Sequence, residues 1–489
     1  MDNGINQTVS RENTYLPMSL LKNQTMEVYS YNASYLRESV QRIHDVLSCA
    51  AVDAHVINVC AGPISLRYEL ELSRGVRLAE IQYCASDIAL ALGCERVTIT
   101  PVVGKCSVVG IDAPKRNADT VYLKEVLDTQ EFAGSKSPLV FCLGKGITGN
   151  KVICDLNTER HLLIGGTTGS GKSTLLHSLI VSMLYHASTH DIRFVMVDTN
   201  GLELAPYNGI PEMLIPVITD ERKAVGVLQW LNTELVRRYK ILSNAGVTSL
   251  DAFNHVAAEA GETLPHIVAI IDDVFHLFSP KDDSAEDLLR NLILRGQVVG
   301  IHLVLATQHV YTGTIVKIAN LRNMGRIAFA LPGRYDSIAL LGKDGAETLS
   351  GKGEMLYLPI GSSVAQRIQG CFVSASEVAA VSDYIKGWFS DDVTVQESIV
   401  KNAQPQAEES VLSANKFDGD ELLPAAVDVV LETGLASVSM LQRRLKLGYN
   451  RAARLLDEME KKGYVGAFQG SHPRVILVTR EQWEKIKNS

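Results

Sequence analysis

Residues 161–174 read HLLIGGTTGSGKST, an apolar run that breaks into glycines and ends on Lys-Ser-Thr. Few segments leave a chain so little choice of fold. A strand must deliver the glycines to a sheet edge and a helix must start at the lysine, because that context turns Gly-rich backbone into an anion cradle. Gly166, Gly169 and Gly171 let backbone amides turn inward around phosphate oxygens, with Thr167, Thr168 and Ser170 completing the loop. Lys172 is expected to reach the β- and γ-phosphates, and the helix start at Ser173 and Thr174 adds favourable partial charge. The Ser173 hydroxyl would ligate Mg2+, so ATP and Mg2+ are expected together.

The partners of such a loop should stand at the ends of further apolar strands. IVAIIDD ends in Asp272 and Asp273. Asp272 would hold Mg2+ through water or Ser173, and Asp273 would orient or deprotonate the attacking water. IHLVLATQ ends in Thr307 and Gln308. At the carboxyl edge of a parallel sheet, where ligands bind, Gln308 could sense the γ-phosphate. Each pair has a plain structural alternative: strand-end aspartates can cap the next helix, and a polar pair can simply close a strand.

A chain of 489 residues predicts two to four domains. Short apolar runs (HLLIGG, IRFVMVD, IVAIIDD, IHLVLATQ, RIAFAL) alternate with longer amphipathic segments, which implies an α/β core whose mostly parallel sheet is covered on both faces. Before it, a helix over about Ala33 to Cys49, the strands HVINVC, LRYELEL and RVTITPV, and a helix over LAEIQYCASDIALALG suggest a small α+β domain. The acidic, polar stretch after Phe389 reads as a linker. The expected divisions are a loosely ordered tail (1–33), the α+β domain (34–126), the P-loop domain (127–386), the linker (387–419) and a C-terminal domain (420–489).

The formal net charge is −8, so nucleic acid would have to be held by local basic surface. The segment VSMLQRRLKLGYNRAARLLDEMEKKGYVGAFQG supplies one, with the look of a helix–turn–helix. Leu455, Leu456 and Met459 share an inward face, which leaves Asn450, Arg451 and Arg454 outward near the start of the second helix. Asn and Arg there can read adenine and guanine edges, and Arg443, Arg444 and Lys446 would contact phosphates. Eight cysteines without a CxxC pair read as reduced, buried thiols. The N-terminus lacks the pattern of a signal peptide and no run is long enough to span a membrane, which points to the cytoplasm.

Together, HLLIGGTTGSGKS, LELAPYNGIP, RRYKILSNAGV, LPHIVAIIDD, GIHLVLATQ, RIAFALPGRYDS and GAETLSGKGEMLYLP resemble the FtsK/SpoIIIE DNA translocases, in the order that family has them. GPISLRYELELSRGV and VYLKEVLD resemble its preceding small domain, and GYNRAARLL its γ module, which reads short polarity-marking DNA sequences. The resemblance covers roughly residues 36–386 and the C-terminal module. It implies a RecA-like P-loop core, a winged-helix domain after it, and a homo-hexameric ring that hydrolyses ATP to move along double-stranded DNA, as in chromosome segregation. A DNA-processing partner such as a recombinase is compatible with it. The family's membrane-spanning N-terminal region has no counterpart here, which implies a soluble, cytoplasmic member.

The departures concern catalysis. The family's Asp-Glu is Asp272-Asp273, and its arginine acting on a neighbour's ATP is Gln297, with Arg295 two residues away. Its Asp-Pro-Lys, Gln-Arg-Pro and Asp-Ser-Arg are Asp198-Thr199-Asn200, Gln308-His309-Val310 and Asp336-Ser337-Ile338, while Arg326 matches and joins Asp273 and Gln308 as a catalytic candidate. ATP binding is intact on this reading, and the alternative to a motor is an ATP-binding DNA clamp with little hydrolysis. A protein-moving ATPase is a third class, opposed by the base-reading tail.

Overall fold

The computed structural model describes residues 16–23, 33–102, 104–115, 118–258, 261–278, 284–310, 313–388, 422–445, 449–466, 474–480 and 483, the side chains of 388, 449–451 and 461 excepted. The chain divides into two units, at Pro405.

In the first unit, strands β1 (Ala54–Ala61), β2 (Ser65–Leu72), β3 (Thr98–Pro101) and β4 (Val108–Pro114) form an antiparallel sheet in the order β1-β2-β4-β3. Alternation sets its faces. Leu66, Tyr68 and Leu70 pack with Ile111, and Ile43 and Leu47 of the helix Ala33–Cys49 cover them. On the other face Arg67 makes a bidentate pair with its cross-strand partner Asp112, at 2.7 and 2.9 Å. The segment LAEIQYCASDIALALG is two helices, Leu78–Tyr83 and Ala85–Leu92, not one: the Cys84 amide bonds the Ile81 carbonyl three residues back and closes the first.

The large sheet contains β5 (Val121–Tyr122), β6 (Val140–Gly146), β7 (Lys151–Asp155), β8 (Leu162–Gly165), β9 (Ile192–Asp198), β10 (His266–Asp272), β11 (Ile301–Thr307), β12 (Gly325–Ala328), β13 (Glu354–Leu358) and β14 (Gln366–Phe372). Its order is β7-β6-β14-β13-β12-β8-β11-β10-β9, with β5 beside β14. From β12 to β9 every pairing is parallel, as the apolar runs predict. From β12 to β7 every pairing is antiparallel. The sheet is therefore mixed, because the hairpin of β13 and β14 needs no crossover helix and so left no strand–helix alternation to read.

The parallel half is buried on both sides. Ile164, Phe194, Met196, Val268, Ile270, Val304 and Ala306 meet Leu175, Leu176 and Leu179 of the helix Lys172–His186. Their strand neighbours Leu163, Val195, Ile267, Ala269, Leu303 and Leu305 meet Val227, Leu228, Leu231 and Leu235 of the long helix Glu221–Ala245. Each such side chain contributes about 1.5–3 kcal/mol of burial free energy.

Two expected boundaries move. Val121, Leu123 and Val126 lie in the large-sheet core, so the small sheet's fold ends with β4 and not near Val126. Residues 16–23, placed in the loose tail, are packed: Leu16 and Leu21 are buried, the Tyr185 hydroxyl donates to the Pro17 carbonyl, and the Lys22 amide donates to Glu377. The cysteines also divide. Cys84, Cys142, Cys154 and Cys371 are buried, whereas Cys49 and Cys106 are exposed. Among the described residues no helix is long and apolar enough to cross a membrane.

The second unit has helices Leu423–Thr433, Val438–Leu445 and Tyr449–Lys461 around Leu441, Leu455, Leu456 and Met459. The final strand expected at VILVT amounts to antiparallel bridges, Ala436 with Arg474 and Val465 with Ile476. Trp483 closes the core and donates its indole N–H to Asp428 at 2.7 Å.

Three histidines sit buried at the amino edge of the parallel strands. His161 Nδ1 accepts the Leu303 amide, His302 Nδ1 donates to the Arg160 carbonyl, and His302 Nε2 lies 3.2 Å from His266 Nδ1. Burial pulls His161 down to about 3 and His302 well below its ordinary range. The unfolded chain therefore binds protons below about pH 6.5 that the native chain refuses, so stability is full above that pH and falls toward pH 3. Denaturant midpoints measured between pH 7.5 and 4.5 should drop on acidification. His161→Asn, whose amide oxygen can accept the same N–H, should flatten that slope.

Candidate functional site

The register of three strands builds the site. β11 lies between β8 and β10, with Gly165 opposite Thr307 and Ile271 opposite Leu305. Asp272 in turn stands opposite Asp198 of β9. The carboxyl ends of all four strands meet at one edge, so the glycine loop, Gln308 and the Asp pair share it although they are far apart in sequence.

The loop Gly166–Gly171 leaves β8 and enters the helix at Lys172. Gly169 and Gly171 have φ of +74° and +124°, which L side chains rarely adopt. A Cβ on Gly171 would also stand 2.8 Å from the Gly353 Cα. The loop is braced from outside: the Thr167 amide donates to the Ala330 carbonyl and the Gly353 amide to the Ser170 carbonyl. Lys172 Nζ donates to the carbonyls of Gly166 and Thr167 at 2.8 and 2.9 Å. Burial lowers its ammonium pKa, against the opposing pull of Asp272 and Asp273. The Thr168 hydroxyl donates to Gln308 Oε1 at 2.6 Å, which ties the loop to the tip of β11. A cleft of about 620 Å³ opens beside the loop, lined by Gly169, Gly171, Thr174 and Phe329, with Ser65 and Lys115 on its small-domain wall.

The acidic side is under electrostatic tension. Burial, then the charges of Asp198, Glu203 and Asp273, push the Asp272 carboxyl up to about 6. Asp198 is fully buried and accepts four backbone amides, from Asn200, Gly201, Glu203 and Leu204. Asp273 has φ +56°, and its Oδ1 accepts the Thr307 hydroxyl at 3.4 Å. A hard divalent cation suits this set. Ser173 and Asp272 offer oxygen donors, a cation would relieve the repulsion at Asp272, and the nearby Thr199 hydroxyl is buried without a hydrogen-bond partner.

Arg326 Nη1 donates to the Leu340 carbonyl and its Nε is buried without a partner, and among the described residues no bond joins it to the loop. Gln297 stands before β11, at the opposite edge. The strand's length alone puts it roughly 20 Å from the loop. Arg295 stacks on Tyr239, 4.8 Å from the ring centre. Gly353 and Ala330 brace the loop and Phe329 lines it, roles that no side-chain pattern in their motifs signals. Phe329 and Ala330 fall within RIAFALPGRYDS and Gly353 within GAETLSGKGEMLYLP, and a Cβ on Gly171 would meet the Gly353 backbone.

In the second unit Arg443, Arg444 and Arg454 are exposed, while Ala452, Leu455, Leu456 and Met459 are buried. Lys446 lies outside the described residues. Asn450 and Arg451 are on the helix Tyr449–Lys461, and their side chains are not among those described.

Fold and site together define a P-loop nucleotide-binding α/β core flanked by a small α+β domain and a winged-helix unit. The chain matches the FtsK/SpoIIIE family over residues 122–311, the FtsK alpha domain over 16–115 and the FtsK gamma domain over 418–479. It is 39% identical to a DNA translocase FtsK of Clostridium acetobutylicum, over 98% of this chain and 63% of that one. It is 40% identical to a DNA translocase FtsK of Caldanaerobacter subterraneus subsp. tengcongensis, over 97% of this chain and 65% of that one. The chain belongs to the FtsK/SpoIIIE family, and spans less than two thirds of these relatives' length. Among solved structures it is similar to the pCW3 conjugation coupling protein TcpA with ATPγS, at TM-score 0.48 and 19% identity, over 72% of this chain and 99% of that one.

Two substitutions test the site's physics. Gly171→Ala should abolish binding of a fluorescent ATP analogue and lower the melting temperature, because its φ costs a non-glycine residue ~1–3 kcal/mol and the Gly353 backbone blocks the methyl. Asp272→Asn should raise stability at pH 7.5 by on the order of 1–3 kcal/mol while weakening Mg2+-dependent nucleotide binding. A carboxyl with a raised pKa destabilises the fold once ionised, so the gain should vanish below about pH 4, as melting at both pH values would reveal.

Proposed function

We propose that this chain binds ATP with Mg2+ at Gly166–Thr174 and hydrolyses it to move along double-stranded DNA, as a hexameric ring oriented by its C-terminal winged helix. The convergence of the braced glycine loop, Gln308 and Asp272-Asp273 on one sheet edge carries the reading. The amides of the loop and Lys172 would take the phosphates, and the ammonium would exchange its bonds to the Gly166 and Thr167 carbonyls for phosphate oxygens. The cleft beside Thr174 has room for the nucleoside. Mg2+, held by Ser173 and Asp272, would neutralise charge on the β- and γ-phosphates. Asp273 would orient the attacking water, and Gln308, tied to Thr168, would register the γ-phosphate. Arg443, Arg444 and Lys446 would hold DNA phosphates, with Asn450, Arg451 and Arg454 toward base edges. The relatives named as DNA translocases support the substrate. The domain limits proposed are 34–115 for the small domain, 120–386 for the motor and 420–489 for the reader.

A second reading, an ATP-gated DNA clamp with slow turnover, draws on Gln297, which puts a neutral side chain where the family has an arginine. ATP hydrolysis by the purified chain, with and without long duplex DNA, decides between them. Strong DNA-stimulated turnover that Lys172→Ala removes is the expected result, and binding without turnover leaves the clamp. Arg443→Ala with Arg444→Ala should weaken DNA binding and reduce its salt slope by about 1 for each phosphate that is no longer neutralised.

A further inference from the structure

The turn that follows Asp273 carries a histidine between two carboxylates. His276 Nε2 lies 3.6 Å from Asp273 Oδ2, and His276 Nδ1 lies 3.5 Å from Glu221 Oε1. Glu221 is the first residue of the long helix Glu221–Ala245, which Asp220 caps by accepting the Arg222 amide. That helix packs its apolar face on β9 and β10, so Glu221 is anchored to the sheet that carries Asp273. The imidazole stands between a buried and an exposed carboxylate, its side chain 38% exposed against 5% for Asp273 and 60% for Glu221.

The other carboxylate oxygen of Asp273 is addressed from the opposite side. Thr307 Oγ1 donates to Oδ1 at 3.4 Å and accepts the His309 amide at 3.0 Å. The His309 ring packs on Phe275, centroids 4.5 Å apart, within the same turn as His276. The backbone of Asp273 is left-handed, at φ +56°. A non-glycine residue stays there only where its surroundings over-determine it. An aspartate carboxyl otherwise turns over a broad range about its last torsion. Thr307 and His276 each approach one of the two carboxylate oxygens, at 3.4 and 3.6 Å, so neither contact alone fixes the angle and the two act together.

We infer that His276 is a positioning residue for Asp273: it links the carboxylate to Glu221, so that the long helix sets the angle at which Asp273 faces the phosphate loop. This rests on the reading of Asp273 as the group that orients the attacking water. It gives a shortened acid a brace from a side chain that itself need not touch substrate.

The test is steady-state ATP turnover by the full chain with saturating duplex DNA, together with affinity for a fluorescent ATP analogue and melting temperature. His276→Ala should lower kcat by ~10- to 100-fold, the scale of small misplacements of a catalytic group, with KM and analogue affinity within about twofold of the parent. His276→Gln, whose amide N–H can still reach Oδ2, should recover most of the loss and decides the matter if the alanine variant fails to fold. Glu221→Gln should lower kcat less, and should add nothing on the His276→Ala background, because both act through one linkage. A His276→Ala chain within about twofold of the parent in kcat, or Glu221 and His276 effects that multiply as independent sites, would overturn the inference. If Asp273→Asn is inactive while His276→Ala is unaffected, only this inference fails. If the parent turns over no faster than Lys172→Ala, the underlying ATPase reading fails and takes the inference with it.

Discussion

The placement of β11 between β8 and β10 is the constraint on which the rest of the site depends. Strands distant in sequence are brought edge to edge by ordinary ladder hydrogen bonds, and the register puts Thr307 opposite Gly165 and Leu305 opposite Ile271. A shift of one residue would turn Thr307 and Gln308 to the wrong faces and bury polar groups in apolar layers. The two cores flanking the parallel strands enforce that register, since alternate residues of each strand must match the helix on their own side.

That same edge concentrates unfavourable electrostatics. Asp198, Glu203, Asp272 and Asp273 crowd together, and Lys172 is the cation among them. Asp198 is satisfied by amides of the loop that follows it, so it organises backbone and has little capacity left for a ligand. The charge of Lys172 relieves Asp272 only in part, and the carboxyl's raised pKa marks the charge that a cation would stabilise. Binding sites commonly carry such strain at the expense of stability. The strained Asp273 backbone belongs to the same pattern, with Thr307 and His276 beside its carboxylate.

Much of this was legible in the residues. The glycine loop, the Asp pair and the Thr-Gln tip each end an apolar run, and period-2 burial with parallel pairing requires their ends to share an edge. Arg326 was not legible: its motif matched, yet its side chain turns to the Leu340 carbonyl, because its strand position faces the helix Arg334–Leu341. The bracing of the loop by Gly353 and Ala330 was equally hidden, since it joins backbone to backbone and leaves no side-chain pattern. Leu16 and Leu21 looked like tail because the short apolar cluster YLPMSLL carries no clear period, and only packing against the large-sheet core gives it a place.

The sequence by itself determined the kind of chemistry. Glycines before Lys-Ser admit an anion cradle and little else, aspartates at strand ends supply hard oxygen donors, and basic residues on an amphipathic helix supply a surface for phosphates. These follow from local steric and hydrogen-bonding rules that act over a few residues. Tertiary structure decided which of the candidates meet: that Gln308 touches Thr168, that Arg326 donates to the Leu340 carbonyl, and that His276 stands between Asp273 and Glu221. Such meetings depend on strand order and side-chain packing between distant segments, which no local rule contains.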